Sequence, residues 1–215
     1  MGEQFGPDDV DRLAAEIHAA VEALPVRNTP QQRAIRREYT GKLKGASAGF
    51  VLTLAWELLR RDDYRDIAYE LIRYHPAAFA SLGETELEEL GHGMDSWGAV
   101  DAVARTLAGP AWLHGQVDDA LIERWARSPD RWWRRAALVS TVALNVRSGG
   151  GRGDTPRTLA ICRLLVDDSD DMVVKALSWA LRELAVRDPA AVRAFLEDYG
   201  DRLAARVRPV ESKAR

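Results

Sequence analysis

Residues 170–189 read DDMVVKALSWALRELAVRDP. Asp170 is followed at +6 by Ala176 and at +9 by Trp179. The stretch closes on Asp188-Pro189, an N-cap before a first-turn proline, which opens a further helix over Ala190 to Tyr199. The same spacing recurs upstream. Asp62 is followed by Ala68 and Leu71, and Asp130 by Ala136 and Val139. Between them, Asp95 has Ala104 at +9 but Asp101 at +6. The leading aspartate reads as an N-cap or a first-turn acid, and the +6 alanine as the small residue where paired helices approach.

The four leading aspartates are 33, 35 and 40 residues apart, a period that suits helix-pair repeats of the HEAT or TPR kind. Helical periodicity continues outward. Asp8 to Leu24 carries Val10, Leu13, Ala14, Ile17, Val21 and Leu24 on one stripe, and Ala48 to Leu59 carries Val51, Leu52, Ala55, Leu58 and Leu59. No stretch alternates as a half-buried strand with hairpin turns. The expectation is an all-α chain, a curved α-solenoid of HEAT-like helix-pair repeats. It forms one domain over 1–215, with N-terminal helices at 1–45, repeats at 46–208 and a tail at 209–215.

Composition narrows the function classes. Of 215 residues, 47% are hydrophobic and 29% charged, as in a globular protein. One cysteine, Cys162, excludes an intrachain disulfide framework or thiolate zinc cluster. His18, His75, His92 and His114 are scattered, so no all-protein metal site is expected. The N-terminus is polar, and no apolar run nears the ~20 residues of a membrane helix. A cytoplasmic protein without membrane association is expected, acting as a monomer. The formal charge of -3 argues against a chain that coats nucleic acid through basic surface all round. Seven tryptophans are many for this length.

The position that breaks the repeat is informative. An unpaired carboxylate in a buried slot is costly, so Asp101 is either solvated through a displaced register or functional. Trp97 lies four residues earlier, on the same helix face. An indole beside a carboxylate suits a cation, although Trp97 could equally anchor a core. Residues 131–135 read RWWRR, and guanidinium groups suit phosphate unless their stems simply cover Trp132 or Trp133. Lys175 and Trp179 are again four apart.

Charge is segregated. Bases cluster from Arg27 to Lys44 and at Arg147, Arg152 and Arg157, while acids cluster at Glu84 to Glu89 and Asp167 to Asp171. A solenoid with its bases on one face would bind a polyanion at near-neutral total charge; ordinary salt-bridged surfaces are the alternative. The loop Ser148 to Asp154, SGGGRGD, lacks the Gly-Lys-Ser/Thr of a phosphate loop and reads as a flexible connection. Its Arg152 could still touch a DNA backbone.

Three stretches resemble the AlkD-type DNA alkylation repair family, whose members are HEAT-like repeat alkylpurine glycosylases. They are MDSWGAVDAVARTLAGPAW at 94–112, RSPDRWWRRAAL at 127–138, and 170–189. The likeness runs from about Asp62 to Tyr199 and is weaker before Gly45. It implies Asp101, Trp97, Trp179 and Arg135 as catalytic residues. An early-helix tyrosine of the family corresponds to Tyr39, while Arg134, Lys175, Lys42, Lys44 and Arg152 are expected DNA contacts from their charge, Arg134 standing where the family can be uncharged. The partner implied is double-stranded DNA containing alkylated bases, with no cofactor. The implied activity is excision of cationic N3- or N7-alkylated purines, without full base flipping, so that bulky adducts are admissible. In that mechanism Asp101 stabilises the positive sugar and orients water, Trp97 and Trp179 pack on the nucleotide, and Arg135 holds a phosphate. Two alternatives remain. One is a noncatalytic module binding damaged or branched DNA. The other is a protein-interaction solenoid with its tryptophans buried.

Overall fold

The structure, a computed structural model, describes residues 5–6, 8–61, 64–205 and 207. All regular secondary structure among them is helical. The chain divides into two compact units, residues 1–86 and 87–215.

The first unit holds α1 (Asp8–Glu22), α2 (Thr29–Lys42), α3 (Ala48–Arg61), α4 (Arg65–Arg73) and α5 (Pro76–Ala80). The stripe expected over Asp8 to Leu24 buries Leu13, Ala14, Ile17 and Val21 of α1. These pack on α3, whose Val51, Leu54, Ala55 and Leu58 are fully covered. Each such leucine contributes about 2 kcal/mol when removed from water. Asn28 caps α2 by accepting from the Gln31 N–H, with Pro30 in the first turn. Asp62, the first leading aspartate, and the tail at 209–215 lie outside the described residues.

Helix α6 (Glu84–Gly91) runs across the division. The second unit continues with α7 (Trp97–Val103), a π-helical turn at Ala104–Ala108, and α8 (Gly109–Leu113). Then come α9 (Asp119–Ala126), α10 (Arg131–Asn145), α11 (Thr155–Leu164), α12 (Asp171–Ala185) and α13 (Pro189–Tyr199). Helix α10 is the centre, packed by α7, α8, α9, α11 and α12. Its approach to α8 needs Gly109, because a Cβ there would lie 2.7 Å from the Ser140 carbonyl oxygen.

Aspartate caps set the helix starts. Asp130 accepts from the Trp132 N–H at 2.9 Å, Asp170 from the Met172 N–H at 2.8 Å, and Asp188 from the Ala191 N–H at 3.0 Å. Each cap contributes about 1 kcal/mol. Ala136 and Ala176, the +6 alanines, are buried as expected. Asp95 departs from the pattern: the cap of α7 is Ser96, one residue later, accepting from the Ala99 N–H. Counted from the caps, Asp101, Arg135 and Lys175 therefore occupy equivalent fifth positions on α7, α10 and α12.

The glycine-rich connection differs from the loose loop expected. Gly153 donates to the Leu144 carbonyl at 3.0 Å, and Arg187 donates to the carbonyls of Asn145 at 2.7 Å and Gly151 at 3.3 Å. A side chain at Gly151 would meet the Ala143 carbonyl oxygen at 2.3 Å, so the segment folds tightly over the end of α10.

Candidate active site

Trp97 is the first residue of α7 and is 61% exposed. A core or inter-helix anchor would be covered, so packing does not account for this indole. Asp101 follows one turn later. Its carboxylate oxygens accept from Arg135 Nε and Nη2, each at 2.9 Å. Asp101 is thus paired and only partly exposed. The two-point geometry fixes the plane and direction of the carboxylate. Exposure within the pair is unequal: the Arg135 side chain is 7% exposed and that of Asp101 16%.

Arg135 departs from the expectation that it holds a phosphate. Its third nitrogen, Nη1, donates to the Met172 carbonyl at 2.6 Å, so all three guanidinium nitrogens are engaged inside the protein. The physical reason is register. Arg135 sits level with Asp101 across the α7–α10 contact, and a buried guanidinium is held only by satisfying its donors. Arg135 consequently ties α7, α10 and α12 together at one level.

One turn after Asp101 stands Arg105, exposed and within the π-helical turn. Its Cζ lies 5.4 Å from the centroid of the Trp179 ring. Trp179 is half-buried on α12 and donates from Nε1 to Glu183 at 3.0 Å. Asp101 and Arg135 are thus in direct contact, Trp179 is reached through Arg105, and Trp97 shares the Asp101 helix face. Arg105 is the functional candidate that the sequence reading missed. Its spacing of four from Asp101 was the available signal, since Trp97, Asp101 and Arg105 form one stripe.

The proposed DNA contacts are placed as follows. Arg134 donates to Asp168 at 2.6 Å and to the carbonyls of Ser128 and Pro129, an arrangement that braces the start of α10. Lys175 is exposed and paired with Asp171 at 2.6 Å. Arg152 is exposed in the glycine connection. Tyr39, Lys42 and Lys44 belong to the first unit. Tyr39 is buried there, and that burial pushes its hydroxyl above the ordinary tyrosine value. The Lys42 ammonium sits 4.2 Å from its ring centroid and pairs with Glu38, while Lys44 is exposed.

Other aromatic groups have packing roles. Trp133 packs tilted against Trp125, ring centroids 4.7 Å apart, and covers Gly91, where a Cβ would lie 2.6 Å from the indole. A cleft beside this pair is lined by Glu88, Glu123, Arg124 and Arg127. Burial opposes ionisation of Glu88 there, but hydrogen bonds from Arg124 and Trp125 outweigh it and hold the carboxyl below its ordinary value. Cys162 is buried, and desolvation pushes its thiol up to about 12, which leaves it unreactive. Among the described residues no group of three His, Cys, Asp or Glu could hold a metal ion, and no helix is long and apolar enough to cross a membrane.

Among the described residues the chain is all-helical, with an ion-paired carboxylate, Asp101, one helical turn after an exposed indole. The model of the DNA alkylation repair enzyme family matches residues 11–209, and the chain belongs to that family. No curated protein matches it. Membership assigns the chain to DNA repair and makes DNA its partner.

Proposed function

We propose that the protein is a DNA glycosylase that hydrolyses the N-glycosidic bond of cationic N3- or N7-alkylated purines in duplex DNA, as a step of base excision repair. The observation that carries this reading is the presentation of Asp101: a carboxylate fixed at two points by buried Arg135, one helical turn after an exposed indole.

Alkylation at N3 or N7 makes the purine a good leaving group. Departure of the base builds positive charge on the deoxyribose, and a catalyst serves best by stabilising that charge and placing a water. A carboxylate has about four acceptor directions, and a two-point arginine uses two. The remaining two on Asp101 serve the developing oxocarbenium ion and the attacking water. Trp97 offers a ring face to the positively charged nucleotide. Arg135 acts on the reaction by holding Asp101, a positioning role.

Such a site selects for positive charge and needs no enclosed base pocket, so bulky adducts are admissible substrates. The levels shared by α7, α10 and α12 from their caps support HEAT-like repeats in this part of the chain.

The test is incubation with duplex DNA carrying a 7-alkylguanine or a 3-alkyladenine. Free base and abasic sites are expected. Salt-dependent DNA binding without base release from either lesion would contradict the glycosylase reading and leave a noncatalytic binding module.

A further inference from the structure

Four basic side chains of α10 and α12 have carboxylate partners. Arg131 pairs with Asp170, Arg134 with Asp168, Arg135 with Asp101 and Lys175 with Asp171. Each of these charges is compensated by a carboxylate. Arg105 is different. It is exposed, it makes neither an ion pair nor a side-chain hydrogen bond among the described residues, and its defined contact is with the face of Trp179.

That contact is weak and easily exchanged. A guanidinium over an indole at an exposed position contributes about 0.5–1 kcal/mol. All five N–H donors of Arg105 remain available, and such donors fit two phosphate oxygens at once. Its backbone lies in the π-helical turn Ala104–Ala108, a local widening often found where a helix serves a site. Asp101 and Arg135 nearly cancel as a pair and Glu183 lies at the Nε1 edge of Trp179, whereas no ion pair among the described residues neutralises Arg105.

We propose that Arg105 is the phosphate ligand of the site. It is parked on Trp179 in the free protein and moves to a backbone phosphate when DNA arrives, uncovering the indole face for the nucleotide. This assigns to Arg105 the contact for which Arg135 is unavailable. It rests on the reading of this surface as facing DNA, but not on base release.

The test is the salt dependence of binding to an undamaged duplex, measured with the full chain. One lost phosphate contact lowers the slope of log affinity against log salt by about 0.9. Over a fourfold rise in salt, wild type should therefore lose about 3.5-fold more affinity than Arg105→Gln. Arg105→Lys, which keeps the charge, should retain most of the wild-type slope. Unfolding temperatures close to wild type, expected for an exposed residue, show that the folds are comparable. A wild-type slope in Arg105→Gln would overturn the proposal, whether or not base is released. A reduced slope in a protein that releases no base would uphold Arg105 and remove only the glycosylase reading.

Discussion

Arg134 and Arg135 are consecutive residues, and each reaches an aspartate 34 positions away. Their ion pairs are built with opposite polarity. In the Arg134 pair the carboxylate is the more hidden partner, with Asp168 10% and Arg134 20% exposed. The two oxygens of Asp168 serve different partners, since the second accepts from the Asp170 N–H at 2.9 Å. In the Arg135 pair the guanidinium is the more hidden partner and the carboxylate the more exposed one, at 7% against 16%, with Trp97 one turn earlier on the same helix. The first pair braces the start of α10. The second holds a carboxylate in a fixed direction by a two-point contact. The two pairs thus differ in which member is the more exposed, and the proposed site uses the pair in which it is the acid.

Substitutions can break this contrast. The largest effect is expected for Asp101→Asn, which keeps the shape and removes the charge. Base release should fall about 10²–10³-fold, the loss typical of removing one preorganised electrostatic group. Arg135→Met should come next. Breaking a buried pair leaves Asp101 without its partner, and chemical denaturation should show a loss of about 3 kcal/mol. Base release should fall with it, because the carboxylate is no longer held. Trp97→Ala should lower base release about 10-fold through the lost ring face. Its stability should stay within about 0.5 kcal/mol of wild type, since the indole is already exposed. Arg134→Gln should cost about 1–2 kcal/mol of stability through its lost hydrogen bonds and leave base release unchanged. A stable Arg135→Met or a catalytically dead Arg134→Gln would erase the distinction between the two pairs.

Much of this architecture is written in local sequence. The stripe of α1, the Asp188-Pro189 start of α13 and the buried +6 alanines 136 and 176 follow from helical spacing and capping chemistry alone. Trp97 and Asp101 share a face for the same reason. What spacing does not reveal is the partner across a helix–helix contact. The cap at Ser96, in place of Asp95, shifts α7 by one residue and brings Asp101 level with Arg135. That one-residue difference turns Arg135 from an expected phosphate ligand into the support of the carboxylate. Arg105 was hidden similarly, because its stacking on Trp179 joins α12 to a turn whose π geometry has no clear sequence mark.

The most direct measurement compares single-turnover base release by wild type, Asp101→Asn and Arg134→Gln on one duplex carrying a 7-alkylguanine. Wild type and Arg134→Gln should release the base at similar rates, with Asp101→Asn slower by about 10²–10³-fold. Equal rates for wild type and Asp101→Asn would contradict the account, because the arginine-held carboxylate would then have no part in the chemistry.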